Sequence, residues 1–167
     1  MEPDSVTRVF RGKLITVEVQ SWPAGDREVV RHPGACAVVG LTAAGEVLLV
    51  RQMREAVGEI LLEIPAGIFD QPGEDAARCA ARELLEETGH RAEEVEPLGS
   101  IYTSPGFTDE RIELFVARAI HDREPEDGIE LAPLGFEQAL AAVREGRIKD
   151  AKTITGLMLA RDTGRMC

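Results

Sequence analysis

Short apolar alternations, broken by Gly- and Pro-marked turns and followed by helical stretches, predict a layered α/β fold for this chain. Three observations carry the prediction. Several strand-length runs fill the first part of the sequence, a helix-forming acidic segment stands near its middle, and two further helical stretches close it.

The elements follow in order. Over residues 14–22, Ile15, Val17 and Val19 alternate with Thr16, Glu18 and Gln20, the pattern of a half-buried strand. After the Pro23-Ala24-Gly25 turn, residues 26–31 supply its hairpin partner. Residues 35–41 and 46–52 form two more strands joined at Ala43-Ala44-Gly45, and residues 59–64 another. Beyond the acidic helix, residues 97–103 and 111–118 read as strands and Ile129-Glu130-Leu131 as a short edge. Residues 136–144 and 151–161 read as helices, the second capped by Asp150. No internal repeat or low-complexity linker interrupts this order, so residues 1–167 are expected to form one domain.

Composition narrows the function. A 44% apolar share over 167 residues suffices for a core. A net charge of -11 opposes nonspecific attraction to nucleic acid backbones. Cys36, Cys79 and Cys167 show no metal-ligand spacing and are odd in number, which suits a reducing compartment. No apolar run approaches membrane-spanning length and the first residues carry no apolar signal region, so a cytoplasmic location without membrane partners is expected.

The segment Arg82-Glu83-Leu84-Leu85-Glu86-Glu87-Thr88-Gly89 carries the chemistry. At about 100° per residue, Glu87 lies about 40° from Glu83, and Glu86 about 60° to the other side. Three carboxylates on one stripe repel one another, and a cation offsets that repulsion. Hard oxygen ligands suit Mg2+ or Mn2+, with a phosphorylated substrate completing the shell. Leu84, Ala77, Ala81 and Leu85 fall on another arc expected to face the core, while the small Ala76 and Cys79 are expected to leave ligand room on the carboxylate face. Gly89 is the expected helix stop. The unit reads as loop, helix, loop with its acids on an exposed face.

From Gly67 to Gly89 the chain resembles the Nudix box, G-x5-E-x7-R-E-U-x-E-E-x-G-U, in which U is bulky and aliphatic. Glu74, Arg82, Glu83, Leu84, Glu86, Glu87 and Gly89 match at the required spacing. Two departures stand out: six residues rather than five separate Gly67 from Glu74, and His90 replaces the final aliphatic residue. The resemblance implies a Nudix α/β/α sandwich, with the box over residues 67–90 and residues 1–32 as an N-terminal strand extension used in dimerisation. A second segment, Ser104-Pro105-Gly106-Phe107-Thr108-Asp109-Glu110, resembles the loop of ADP-ribose pyrophosphatases, and Pro105 stands sixteen residues after Gly89 as in that subfamily. Residues 50–54, 62–67 and 146–151 also resemble it, so the likeness runs from about Val6 to Arg161.

The resemblance implies metal-dependent hydrolysis of ADP-ribose to AMP and ribose 5-phosphate by a homodimer whose N-terminal strands are exchanged. Glu83, Glu86 and Glu87 are the expected metal ligands, and the Ala66 carbonyl joins them by resemblance alone. Arg82 is expected to brace these acids or Glu63. Glu74 either orients the loop or complements the helix dipole; Gly67 and Gly89 support the loop and the stop. Pro105, Gly106, Phe107, Glu110, Arg51 and Arg54 are the substrate-contact candidates. For both arginines a strand-end salt bridge is the competing reading. Trp22, the only tryptophan, is either an interface anchor or a packing residue. The general base is sought in the acidic loop, with Glu126 first, Asp127 second, and Glu124 and Glu86 as alternatives. Two rival functions stay open. One is hydrolysis of another nucleoside diphosphate derivative, such as a nucleotide sugar or dinucleoside polyphosphate. The other is noncatalytic nucleotide binding.

Overall fold

A computed structural model describes residues 1–71, 73–126 and 128–165. Among these residues twelve strands and three helices follow one another: β1 Ser5–Arg11, β2 Thr16–Trp22, β3 Gly25–Arg31, β4 Ala35–Leu41, β5 Glu46–Val47, β6 Val50–Arg54, β7 Glu59–Glu63, β8 Ala66–Ile68, α1 Ala76–Thr88, β9 His90–Tyr102, β10 Arg111–His121, β11 Glu130–Leu131, β12 Leu134–Gly135, α2 Phe136–Arg144 and α3 Ala151–Asp162.

The central sheet runs β12-β5-β4-β10-β9, with β8 also paired to β4. Strands β4 and β10 are parallel neighbours and β9 is antiparallel to β10. Because side chains alternate along a strand, these central strands feed two cores. Ala35, Ala37, Val39 and Leu41 of β4 join Ile112, Leu114 and Val116 of β10 against α2 and α3. Cys36 and Val38 join Phe115, Ala117 and Ala119 against Ala80 and Leu84 of α1. Helices on both faces make the expected α/β sandwich. A second sheet, β11-β6-β7, carries Glu63 at its end, and β1-β2-β3 forms an antiparallel sheet at the N-terminus.

The hairpin, β4 and α2 fall where the pattern placed them. Four differences have physical reasons. The apolar run expected as one strand over residues 46–52 is split. Val47 pairs with Leu41 in the central sheet, whereas Val50 pairs with Glu63 in the second. Continuous burial from Val47 to Val50 hides that crossing in the sequence. Strand β9 begins at His90 rather than at 97, because two register shifts against β10 break its alternation. Residues 66–68, expected in a loop, pair with Ala35–Ala37 of β4 as β8. Finally, β1 precedes the first expected strand and is exposed throughout.

Candidate functional site

Helix α1 is fixed at both ends. Asp75 accepts the Arg78 N–H at 2.9 Å as N-cap. Gly89 closes the other end at φ 70°, and its N–H donates to the Leu85 carbonyl. A Cβ at position 89 would overlap the Arg123 carbonyl, so the loop after β10 can lie against the helix end only over a glycine. That loop is held there by the N–H groups of Asp122 and Arg123, both donating to the Gly89 carbonyl, and by Glu126, whose N–H donates to the Glu86 carbonyl at 2.9 Å. The Glu126 side chain is exposed beside the acidic helix. Asp127 lies outside the described residues.

The acidic stripe faces inward, not outward as the sequence suggested. Glu87 is 7% exposed, and its Oε2 accepts the Ala66 N–H at 3.2 Å. Burial pushes its pKa up to about 7, against the lesser pull of Ala66, Arg54 and Lys152. Glu83 lies on Gly67, where any side chain would collide with its carboxylate. Burial also raises the Glu83 pKa, with Arg82 opposing. Glu86 is the most open of the three. The second inversion concerns Cys79, expected to leave ligand room. It is fully buried, with its Sγ against the Gly67 and Ile68 carbonyls, and it packs with Cys36 in the core. The cause is β8, which covers that face of α1.

Arg82 braces the acids. Its Nη1 donates to Glu83 at 2.6 Å and to Glu86 at 2.9 Å, and its Nε and Nη2 donate to Glu74 at 3.0 and 3.1 Å. Glu74 thereby ties the loop ahead of the helix to the stripe. Glu63, the alternative partner of Arg82, is held elsewhere. Arg54 donates to both its oxygens at 2.8 and 2.6 Å, and Lys152 donates to Oε2. Burial alone would raise the Glu63 pKa, but these two cations more than reverse it and leave it lowered.

A cleft of about 570 Å³ opens beside Ala66 and Gly67 and is also lined by Arg54, Lys152, Glu110 and His32. Arg51 points away from Arg54 and pairs with Glu130 at 3.0 Å; with Glu87 it lines a small cavity of about 100 Å³. Pro105, Gly106 and Phe107 line a third depression, of about 350 Å³, together with Trp22 of β2. Backbone bonds between Val30 and this loop, Val30 N–H to the Phe107 carbonyl at 2.7 Å and Asp109 N–H to the Val30 carbonyl at 3.2 Å, fix it on β3. Glu110 therefore lines the cleft beside Ala66 and Gly67 while the loop tip faces the N-terminal sheet. A larger cavity, about 810 Å³ around Leu41 and Arg118, lies at the opposite end of β4 and β10. The sequence reading missed Lys152 and His32. Lys152 follows directly on the 146–151 segment, and His32 sits ahead of a Pro-Gly turn; neither position announces its partner.

The carboxylate oxygens of Glu83, Glu86 and Glu87 are the donor type a hard divalent cation takes, although among the described residues no three acidic, His or Cys side chains converge as a ready-made metal site. Among those residues the three acids are bonded only by Arg82 and one amide, and burial disfavours two of the three charges.

A mixed sheet between helices, with an inward carboxylate stripe braced by an arginine, defines the class. The chain belongs to the Nudix family: the NUDIX domain model matches residues 30–154. It is 39% identical to a methanol dehydrogenase activator of Bacillus methanolicus, over 88% of this chain and 85% of that protein. It is 36% identical to an ADP-ribose pyrophosphatase of Bacillus subtilis (strain 168), over 87% of this chain and 84% of that one. A crystal structure of an ADP compounds hydrolase shares the fold, with a TM-score of 0.79 at 21% identity, covering 99% of this chain and 95% of that one.

Proposed function

We propose that this chain is a cytoplasmic hydrolase that cleaves the pyrophosphate bond of ADP-ribose to AMP and ribose 5-phosphate. The observation that carries the reading is the inward carboxylate stripe of Glu83, Glu86 and Glu87, which lies against Ala66 and Gly67, two residues that with Arg54 line a cleft. Likeness to the Bacillus subtilis ADP-ribose pyrophosphatase supports the substrate.

Glu83, Glu86 and Glu87 would hold Mg2+ or Mn2+, joined by the Ala66 carbonyl. When bound, such an ion neutralises phosphate charge and activates water. The chain's own residues do the rest. Arg82 fixes Glu83 and Glu86 in place. Arg54, partly exposed, presents a cation to a phosphate. Glu126, on an exposed loop tied to the helix end, accepts the proton of the attacking water, with Asp127, Glu124 and Glu86 as the alternatives. Arg51, Pro105, Gly106, Phe107 and Glu110 complete the substrate contacts.

Residues 1–167 form one domain in this reading, and residues 1–32 extend it for a homodimer. Val6, Val9 and Phe10 on β1 are each at least half exposed, and a second copy would cover them. Hydrolysis assays over ADP-ribose, other nucleotide sugars and dinucleoside polyphosphates, each with Mg2+ and Mn2+, test the reading. AMP and ribose 5-phosphate released from ADP-ribose is the expected result; no cleavage of ADP-ribose rejects it. Sedimentation tests the assembly, and a monomer at all concentrations rejects the dimer.

A further inference from the structure

We infer that His90 and His121 form a cation site of their own, for a borderline transition metal ion such as Zn2+, and that an ion held there clamps the root of the acidic loop. The site uses none of the carboxylate stripe and does not depend on the substrate of the cleft.

His90 stands where the Nudix box pattern has a bulky aliphatic residue. It is the first residue of β9, and His121 is the last of β10. The two are direct partners in the antiparallel pair, two residues along from the partners Ala92 and Ala119. Side chains alternate along a strand, so both imidazoles share the face on which Ala92 and Ala119 pack with the α1 residues Ala80 and Leu84. Direct cross-strand partners hold their Cβ atoms about 4.5–5.5 Å apart, within reach of one ion.

The rings already stand at a ligand spacing. Their centroids are 5.3 Å apart and their planes lie at 85°. Two imidazoles on one tetrahedral ion, with metal–nitrogen bonds of about 2.0–2.1 Å, place their centroids roughly 5 Å apart. His90 is also fixed in the tautomer a ligand needs. Its Nδ1 lies 2.7 Å from the Thr88 carbonyl, which can only accept, so Nδ1 carries the proton and the neutral ring presents a bare lone pair on Nε2. A backbone carbonyl on the other nitrogen is the usual support of a metal-bound imidazole. His121 is exposed, and a turn of its ring brings either nitrogen to the ion.

Ligand chemistry selects the ion. Neutral imidazole suits Zn2+, Ni2+ or Cu2+, whereas Mg2+ takes oxygen ligands. Helix α1 ends at Thr88, and the partial negative charge of its last carbonyls favours a cation beside them. Among the described residues no group of three ligand side chains converges, so water fills the remaining positions and the ion exchanges readily, unlike one in a closed four-ligand site.

An ion on both rings cross-links the start of β9 to the end of β10. Asp122 and Arg123 follow directly, and their N–H groups donate to the Gly89 carbonyl, next to His90. The loop then runs on to Glu126, whose N–H donates to the Glu86 carbonyl. With both strand ends tied by the ion, the root of that loop opens less often.

The chain has three histidines, so the ring signals can be assigned singly. The test titrates Zn2+ into the full chain in excess Mg2+, which keeps the carboxylates occupied, and follows the imidazole NMR signals. Those of His90 and His121 should shift together and saturate at one ion per chain, while those of His32 stay in place. His90→Leu, which restores the aliphatic residue of the box pattern, and His121→Gln should each weaken Zn2+ binding by at least about tenfold to a hundredfold, the loss usual even for residues that only orient a ligand. Hydrogen exchange at the Asp122 and Arg123 amides should slow with Zn2+ in the parent and not in either variant. Rings that keep their shifts, or shift independently, show aromatic packing only and overturn the site. Equal movement of His32 shows nonspecific association and does the same. Paired ring shifts without slower exchange at Asp122 and Arg123 overturn the clamp. Should His90→Leu fail to fold, His121→Gln, at an exposed position, carries the comparison.

Discussion

Glu63 and Glu87 stand on different elements within the field of the same two cations, Arg54 and Lys152, and the fold treats them oppositely. Both are buried, at 1% and 7% exposure. Glu63 receives a two-pronged bond from Arg54 and another from Lys152, and its pKa falls below the ordinary carboxylate value. Glu87 receives one backbone N–H, and burial drives its pKa up to about 7. A buried carboxylate with matched cations serves the architecture. It joins β6, β7 and the start of α3, where Asp150 caps the helix and also pairs with Lys152 at 3.0 Å. A buried carboxylate without a matched cation is an unfilled electrostatic position, and such positions mark functional sites more often than structural ones.

The comparison makes predictions of decreasing size. Glu126, exposed and linked to α1 through its backbone N–H, is the extreme case of a carboxylate in the open. Glu126→Gln should slow hydrolysis by roughly two to four powers of ten with metal affinity nearly unchanged, the usual range for an acid–base group. Near-parental turnover would transfer the role to whichever of Glu124, Asp127 or Glu86 shows the largest loss. Next comes Glu87→Gln, which should cost turnover roughly two to three powers of ten by removing charge that serves the transition state. The same variant, without metal, should melt no lower than the parent, because an amide in that position has no charge to desolvate. A clear drop in metal-free Tm would show that Glu87 is structural after all and erase the contrast.

Glu63→Gln should behave in reverse. It strands Arg54 and buried Lys152 without their carboxylate, and the unfolding free energy should fall by about 2–4 kcal/mol, discounted for the partial exposure of Arg54. Any loss of activity should track loss of folded protein in denaturant titrations. A Glu63→Gln variant of full stability but no turnover would place Glu63 in the catalytic machinery. The smallest effect concerns acid. Because the Glu63 pKa is lower in the folded state, its stabilisation is complete above the ordinary carboxylate value near 4.5 and disappears as pH falls through the lowered value. The parent should therefore lose more stability than Glu63→Gln over that acid range. Parallel acid-unfolding curves would count against the ion network as the cause.

Much of this contrast cannot be seen in the chain alone. The spacing of Glu83, Glu86 and Glu87, the Gly89 stop, the N-cap at Asp150, the β2–β3 hairpin and the bounds of β4 and α2 were legible, because each depends on residues a few positions apart. Helical and strand periods are local rules, and a three-glutamate stripe is a statement about one turn of helix. Arg82 as the brace of that stripe is local in the same sense, since the guanidinium and two of its acids share a helix.

Burial and charge compensation are not local. Residues 54, 63 and 152 meet only because β6, β7 and α3 pack together, so nothing near Glu63 in sequence marks it as neutralised. The stripe turns inward because β8 pairs with β4 over α1, and residues 66–68 carry no strand pattern that would foretell it. Arg51 and Arg54, three residues apart, part company because successive strand side chains face opposite ways and the two faces meet different partners. His32 and Glu110 become neighbours only when β4 and β10 lie side by side. The sequence alone determined which carboxylates share a face; the tertiary structure decided which are left short of positive charge, because solvent exclusion and ion pairing depend on every element packed around a group.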